Sequence, residues 1–169
     1  MAKQSSIVFT TNIHRLEHLV GMHYLEVPHD IVQQLGGKFK IRLLCTVNDA
    51  ITFQCGLVAL GNGSGYLSIN ARRMKQLGLK FGNKVTVKLE KDVSKYGMNM
   101  SEELTELLSQ DKEGNRRFKL LPPGKQRYII YYVNMVKSSQ LRINRAIKLI
   151  ENLKKTKEGK ESFREILGK

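Results

Sequence analysis

Basic and aromatic side chains recur together between residues 125 and 148, where they could bind a negatively charged ligand. Arginine offers a fixed fork of donors that suits phosphate, and tyrosine offers a flat face on which bases can stack. The candidate binding residues are Lys125, Arg127, Tyr128, Tyr132, Arg142, Arg145 and Lys148. In the alternative interpretation, the tyrosines belong to the core or its rim and the arginines bind helix ends and nearby carboxylates. The sequence leaves both interpretations open.

The charge of the chain favours an anionic partner. The formal net charge is +14 over 169 residues. Nine basic residues and no acidic one lie between Gly114 and Ile150, and six basic residues and no acidic one lie between Ala50 and Leu89. Such runs are typical of proteins that bind nucleic acid, acidic protein or anionic lipid. A solvated basic surface that aids solubility is the alternative.

A second candidate site is the glycine-rich loop at residues 61–65. Its backbone N–H groups could cradle a phosphate, with Asn62 and Ser64 as the candidate residues. The loop lacks the Gly-Lys-Ser/Thr ending of a P-loop. A plain connection between two strands is the alternative interpretation.

Motifs for catalysis or metal binding are weak. Residues His14 to His18 spell H-x-x-E-H, which in zinc peptidases needs both histidines on one helical face and a third ligand. Here the segment leads into a strand, so we interpret it as a chance match in a flexible arm. None of the cysteines and serines lies in a recognisable motif for a catalytic nucleophile. We therefore expect no catalytic residue, no metal and no cofactor.

Two consecutive helices must position the basic residues. Pro123 suits the first position of a helix, and Ser138 can cap the second helix. One helical face recurs in both: the first helix has Ile129, Tyr132, Val133 and Val136 at this spacing, and the second has Ile143, Ala146, Ile147, Ile150 and Lys154, with Leu149 and Leu153 widening the apolar stripe. The short break between the helices predicts an antiparallel pair.

Shorter elements surround this pair. Ser101 is predicted to cap a helix that extends to Leu108, and Asp111 to cap a helix over residues 112–120. A last amphipathic turn contains Phe163, Ile166 and Leu167. Upstream, residues 41–57 alternate with period two and predict a hairpin, and residues 20–27, 66–69 and 85–89 predict further strands. Two short helices are predicted, one that begins at His29-Asp30 and ends at Leu35 and one that Asn70 caps over residues 71–77. A tight turn at Gly82-Asn83 leads into the last strand, and the asparagine can hold it by accepting backbone hydrogen bonds. The predicted fold class is α+β, with a small closed β-barrel at residues 1–97 and an α-helical domain at residues 98–169.

The two cysteines are expected to be free thiols. If the hairpin turn is centred on Asp49, Cys45 faces Phe53 and Cys55 faces Leu43. The two thiols are then diagonal, which is unfavourable for a disulfide. Free thiols, an N-terminal stretch without the apolar core of a secretory signal and the lack of a membrane-length apolar window favour a cytoplasmic protein.

The helical region resembles a known family. The run Leu-x-Pro, Arg127-Tyr128, the helix closing in Val136-Lys137, and then Arg142, Arg145, Lys148 and Leu153 resemble the helical domain of the bacteriocin-protection family, also called YdeI or OmpD-associated (OmdA). Residues 24–28, 61–65 and 77–85 are similar to a barrel domain of unknown function (type 1905) that often precedes it. The resemblance implies a two-domain protein and recurring arginines, and it implies no defined activity.

These observations lead to three functional hypotheses. In the first, a non-enzymatic protein binds nucleic acid or another polyanion through its basic helices, with affinity that falls steeply with salt. The second is a stress or envelope-protection role through a protein partner, as the family name suggests. The third is a small-ligand or enzyme site in a groove between barrel and helices, lined by Arg142 and tyrosines.

Overall fold

The chain folds as two compact units, Met1–Val93 and Ser94–Lys169. This computed structural model describes residues 5–17 and 22–169. We call the first the sheet unit, because its strands form a single sheet, and the second the helical unit.

The sheet unit contains an antiparallel sheet of seven strands. The strands are β1 (Ile7–Arg15), β2 (His23–Val27), β3 (Arg42–Val47), β4 (Ile51–Gly56), β5 (Val58–Ala59), β6 (Gly65–Ile69) and β7 (Lys84–Lys91). Their order across the sheet is β4-β3-β7-β1-β2-β6-β5. Side chains alternate as the sequence predicts, so that Val85, Val87 and Leu89 of β7 are buried while Thr86 faces outward.

The sheet is a curled, open half-barrel, and the prediction of a closed barrel is wrong in this respect. β4 lies at one edge and β5 at the other, yet only Leu57 separates them in the chain. The sheet must therefore curl until its edges approach. At this point Leu57 exchanges backbone hydrogen bonds of 2.9 and 3.2 Å with Lys40 and Ile41, and no ladder joins β4 to β6 among the described strands. Period-two patterns identify strands but do not specify such a closing ladder.

The β3–β4 hairpin has the predicted register. Asn48 and Asp49, in the three-residue turn between β3 and β4, both have a φ of 51°, in the left-handed region that asparagine and aspartate tolerate. Cys45 pairs with Phe53, and Cys55 pairs with Leu43, so the two cysteines are diagonal, as predicted. Both thiols are free. A hydrogen bond with Cys55, and then burial, raise the pKa of Cys45.

Sequence reasoning missed strand β1. The segment is no flexible arm, because it lies between β7 and β2 and pairs with both. The missed signal was the alternation of Ile7, Phe9, Thr11 and Ile13 with more exposed neighbours. Residues 18–21 lie outside the described part of the chain, so the predicted strand start at residue 20 is untested and β2 is described from His23.

Two short helices and a turn complete the sheet unit. They are α1 (His29–Gln34) and α2 (Ala71–Gln76), and both predicted helices are confirmed to within one residue. The Asn70 side chain caps α2 by accepting a hydrogen bond of 2.9 Å from the Arg73 N–H. After Gly82, the Asn83 side chain accepts a bond of 2.8 Å from the Lys80 N–H. This confirms that an asparagine can hold the turn that leads into β7.

The helical unit contains α3 (Glu102–Gln110), α4 (Lys112–Leu120), α5 (Pro123–Asn134), α6 (Ser139–Lys155) and α7 (Phe163–Leu167). The predicted starts are confirmed. Ser101, Asp111 and Ser138 accept backbone hydrogen bonds at the starts of α3, α4 and α6. Pro123 occupies the first turn of α5, where its missing N–H needs no partner.

The buried face of α6 is rotated from the predicted stripe. Ala146, Leu149, Ile150 and Leu153 are buried in a core that also contains Leu104, Phe118, Ile129, Ile130 and Val133. Ile143 and Ile147, by contrast, remain 36% and 45% exposed. The spacing identified a helix but not its packing, because Leu149 and Leu153 turn the apolar face toward the core and leave Ile143 and Ile147 on its shoulder.

Candidate anion-binding surface

Arg142 connects the end of α5 to the start of α3. Its guanidinium donates to the carbonyls of Val136 and Lys137, at 3.1 and 2.8 Å, and lies 2.9 Å from a Glu103 carboxylate oxygen. Hydrogen bonds from Arg142 and then Ser139 lower the pKa of Glu103 to about 2, and the bond with Glu103 raises the pKa of Arg142. Arg142 thus binds a helix end and a carboxylate, which is the role that the alternative interpretation gives to the arginines.

Arg145 lies against the side of α5. Its guanidinium donates to the Tyr132 carbonyl at 2.8 Å, and its central carbon lies 4.3 Å from the centre of the Tyr132 ring. This contact between the end of α5 and the start of α6 fits the predicted antiparallel pair. Arg145 is half-buried.

Three aromatic rings continue from Arg145 in one row. Tyr132 stacks near Tyr128 with ring centres 6.3 Å apart and planes 20° apart. Tyr128 in turn contacts Phe163 of α7, at 4.5 Å between ring centres. Phe163 is 43% exposed, and both tyrosines are half-buried. We call the row Phe163–Tyr128–Tyr132–Arg145 the aromatic ladder.

Phe163 was absent from the predicted binding residues. The sequence assigned it to a final amphipathic turn, 35 residues after Tyr128 in the chain, and no local pattern connects the two. Their contact depends on the segment between α6 and α7 folding back across α4. A short-range sequence motif cannot predict this chain reversal, because long-range hydrogen bonds fix the position of the segment.

Those hydrogen bonds centre on a buried ion pair. Arg117 of α4 lies 3.2 Å from Glu161, and both side chains are about 95% buried, with exposures of 6% and 5%. Arg117 also donates to the carbonyl of Thr156 at 2.9 Å and to its hydroxyl at 3.0 Å. Burial by itself would raise the pKa of Glu161, but backbone amides, including that of Gly159, and Arg117 donate hydrogen bonds that lower it. We call this pair the Arg117–Glu161 lock.

The lock reaches the ladder through neighbouring contacts. Lys125, one of the predicted binding residues, donates its ammonium to the Glu161 carbonyl. Ser162 and Glu165 form a capping box that starts α7 at Phe163. Asn152 of α6 donates to the Ile166 carbonyl at 3.0 Å and holds the other end of α7. Lys125 therefore helps to position Phe163.

Exposed cations lie close to the ladder residues in the sequence. Arg127 precedes Tyr128, Lys148 follows Arg145 by one helical turn, and Arg164 follows Phe163. All three are exposed, and none forms an ion pair with the residues that the structure describes. Arg116, by comparison, lies 2.8 and 2.9 Å from Glu113 and Glu158. The acid-free run thus contains both paired and unpaired cations.

The glycine-rich loop is closed by its own side chains. Asn62 accepts hydrogen bonds from the backbone N–H of Ser64, at 3.1 Å, and from its hydroxyl. His29 contacts the Gly63 carbonyl at 3.0 Å, and Ser64 is buried. At least one N–H group that could cradle a phosphate is therefore already bound within the loop. Asn62 and Ser64 remain predictions as binding residues.

The motif beginning at His14 starts in β1, which ends at Arg15, and is not helical through Glu17. His14 stacks on Tyr24 and lies 3.5 Å from Glu26, while His18 lies outside the described residues. Within residues 5–17 and 22–169, no group of three or more His, Cys, Asp or Glu side chains is arranged to hold a metal ion.

Arg142 also lines a pocket of about 290 Å³, together with Asn99, Ser101, Glu102 and Asn134. Its walls come from the helical unit, and no tyrosine is among the residues that line it. The pocket therefore differs in composition from the tyrosine-lined groove of the third hypothesis.

The fold defines the class of protein: an antiparallel half-barrel followed by a helical domain. Residues 9–89 match the domain of unknown function 1905, and residues 98–156 match the family described as bacteriocin-protection, YdeI or OmpD-associated. The chain therefore contains a match to each of the two predicted domains, in the predicted order. No curated protein shows a significant match to it. None of the helices in the described residues combines the length and apolarity needed to cross a bilayer.

Proposed function

We propose that this protein binds single-stranded nucleic acid through the aromatic ladder and its flanking cations, without catalysing a reaction. The observation that carries the proposal is the unbroken row of three partly exposed rings ending in Arg145. Arg127, Lys148 and Arg164, which are close to it in the sequence, have no carboxylate partner among the described residues. The expected contact surface consists of Arg127, Tyr128, Tyr132, Arg145, Lys148, Phe163 and Arg164.

The arrangement suits a single strand because unpaired bases expose their faces. Stacking on an aromatic side chain is worth about 1–3 kcal/mol per base and depends little on sequence. Lysine and arginine beside the rings can neutralise the phosphates that connect successive bases. A net charge of +14 adds attraction at longer range.

We also propose a cytoplasmic location. Cys45 and Cys55 are free thiols, which suits a reducing compartment. An envelope-protection role through a protein partner remains an alternative that rests on the family description. A small-ligand or enzyme site is a further alternative, and the described residues give no group of three or more metal-ligating side chains in its favour.

The experiment is a titration of fluorescently labelled single-stranded DNA and RNA, followed by anisotropy at several salt concentrations. Phe163→Ala should weaken binding about tenfold, because one stacking contact of about 1.4 kcal/mol is lost. Phe81→Ala is the matched control, since Phe81 is also exposed but lies in the sheet unit. Neither substitution removes a charge, so the affinity of both variants should fall steeply with added salt.

Three results would contradict the proposal. One is absence of binding at low salt. Another is equal weakening by Phe163→Ala and Phe81→Ala. The third is equally tight binding of a polyanion without bases, such as heparin, together with no effect of Phe163→Ala, because charge alone would then explain the affinity.

A further inference from the structure

A groove of about 780 Å³ lies between α3 and α6, away from the residues of the aromatic ladder. The two helices run in the same direction, because ion pairs connect them near both ends. Arg142 binds Glu103 near their starts at 2.9 Å, and Lys154 binds Asp111 near their ends at 2.7 Å. The groove lies between these two pairs and has an apolar floor formed by Met100, Leu107, Ile143, Ala146 and Ile147.

The floor exists because the apolar stripe of α6 extends beyond the core. Ala146 and Ile150 are buried, whereas Ile143 and Ile147 of the same stripe are 36% and 45% exposed. Isoleucines four residues apart form a continuous ridge on one side of a helix. Such a ridge, open to solvent and bordered by polar residues, is typical of an interaction site.

The rim of the groove has the opposite charge to the chain as a whole. Glu102, Glu103 and Glu106 line it, and none of the eleven described residues around it is basic. Glu103 is already paired with Arg142, but Glu102 and Glu106 are exposed and have no ion pair in the described part of the chain. The Glu106 carboxylate accepts a hydrogen bond from the Gln110 side-chain amide at 2.6 Å. The groove thus selects a cationic ligand although the net charge of the protein is +14.

We propose that this groove binds a basic amphipathic helix of a protein partner. A helix presents apolar side chains at spacings of three and four residues, which suits the ridge of Ile143 and Ile147 beside Leu107. Lysines or arginines at the border of its apolar face then reach Glu102 and Glu106. A second copy of this chain docked groove to groove fits less well, because the same carboxylates would face each other.

The probe is a synthetic amphipathic peptide of leucine and lysine, fluorescently labelled and titrated with the full chain. The comparison peptide replaces each lysine with glutamate. The leucine–lysine peptide should bind, and Ile147→Gln and the double variant Glu102→Gln/Glu106→Gln should each weaken it at least about tenfold. Leu141→Gln and Glu113→Gln are the matched controls, because both residues are exposed in the helical unit but do not line the groove. These controls should bind like the wild type.

Four outcomes would overturn the proposal. They are equal binding of the leucine–glutamate peptide, no effect of the groove variants, equal effects of the controls, and a dimer in sedimentation that Ile147→Gln dissociates. Phe163→Ala tests independence from the ladder and should leave peptide binding unchanged. Circular dichroism of each variant shows whether it is folded, and the three substituted groove positions are exposed enough to accept a polar side chain.

Discussion

The Arg117–Glu161 lock and the exposed cations near the aromatic ladder both contain arginine, but in opposite roles. Arg117 is almost wholly buried and bonded to Glu161 and Thr156, whereas Arg127, ten residues later, is exposed and has no carboxylate partner in the described residues. Both belong to the same acid-free stretch of sequence. A run of positive charge is therefore not a binding site in itself, because folding assigns some cations to structure and leaves others for a ligand.

The sharpest test of this difference is to remove the cation from each region. Arg117→Met leaves the Glu161 carboxylate buried without its partner, and we expect a loss of about 3 kcal/mol in unfolding free energy. Arg127→Gln, at an exposed and unpaired position, should change it by less than about 0.5 kcal/mol. Urea unfolding followed by far-ultraviolet circular dichroism measures both.

A second substitution separates lost charge from lost packing. The double variant Arg117→Met/Glu161→Leu removes both charges and should recover much of the stability, because no buried carboxylate remains unpaired. If Arg117→Met proved as stable as Arg127→Gln, the lock would not hold the C-terminal segment.

A smaller effect is expected where α4 crosses α6. A Cβ at Gly114 would lie 2.5 Å from Ile150 and 2.8 Å from the Asp111 carboxylate, so Gly114→Ala should destabilise the helical unit by about 2 kcal/mol. Gly124→Ala in α5 is the control, because its Cβ would meet nothing within 4 Å and alanine favours a helix. The same unfolding experiment should show Gly124→Ala unchanged or up to about 1 kcal/mol more stable. The packing argument is wrong if the two variants behave alike.

Local structure could be predicted well from the sequence, since each signal lies within a few residues. Ser101, Asp111 and Ser138 identified helix starts, and the turn at Asp49 gave the register of Cys45 and Cys55. Features fixed by contacts between distant parts of the chain could not be predicted from the sequence. The open edge of the sheet depends on how Leu57 bonds to Lys40, and the contact between Tyr128 and Phe163 depends on Arg117 holding Glu161.

The candidate site residues show the same limit of prediction from sequence. Arginines three residues apart in α6 were expected to share one role, yet Arg142 binds Glu103 while Arg145 lies on the Tyr132 ring. Their different partners come from α3 and α5, which approach α6 from different sides. Sequence spacing identifies a helical face but does not identify the element packed against it.

Salt dependence should distinguish unpaired from paired cations. Arg127→Gln/Lys148→Gln removes two proposed phosphate contacts, so the slope of log affinity against log salt for single-stranded DNA should become shallower by about 1.4. Arg116→Gln/Lys154→Gln also removes one arginine and one lysine, but both are paired with glutamate or aspartate. That control should leave the slope nearly unchanged. Equal slopes for the two double variants would show that only the total charge matters.

The smallest effect concerns acid stability at Arg142. The folded pKa of Glu103 is about 2, against an ordinary value of 4.5, because Arg142 and then Ser139 donate hydrogen bonds to it. Since the unfolded state binds this proton more tightly, the stabilisation is complete above about pH 4.5 and is lost as the pH falls toward 2. In Arg142→Gln the folded pKa should return toward 4.5, and less stability should be lost over that interval. A nuclear magnetic resonance titration of the Glu103 carboxyl carbon measures the pKa directly.

The matched control is Lys137→Gln, which removes an exposed charge near the end of α5 without a direct contact to Glu103. It should leave the Glu103 titration at low pH, as in the wild type. An ordinary carboxyl titration in the wild type would mean that Arg142 does not hold Glu103 in solution. Arg142 would then be available to a ligand, like Arg127 and Lys148. A low pKa of Glu103 would instead place Arg142 with Arg117, among the cations that folding has already paired.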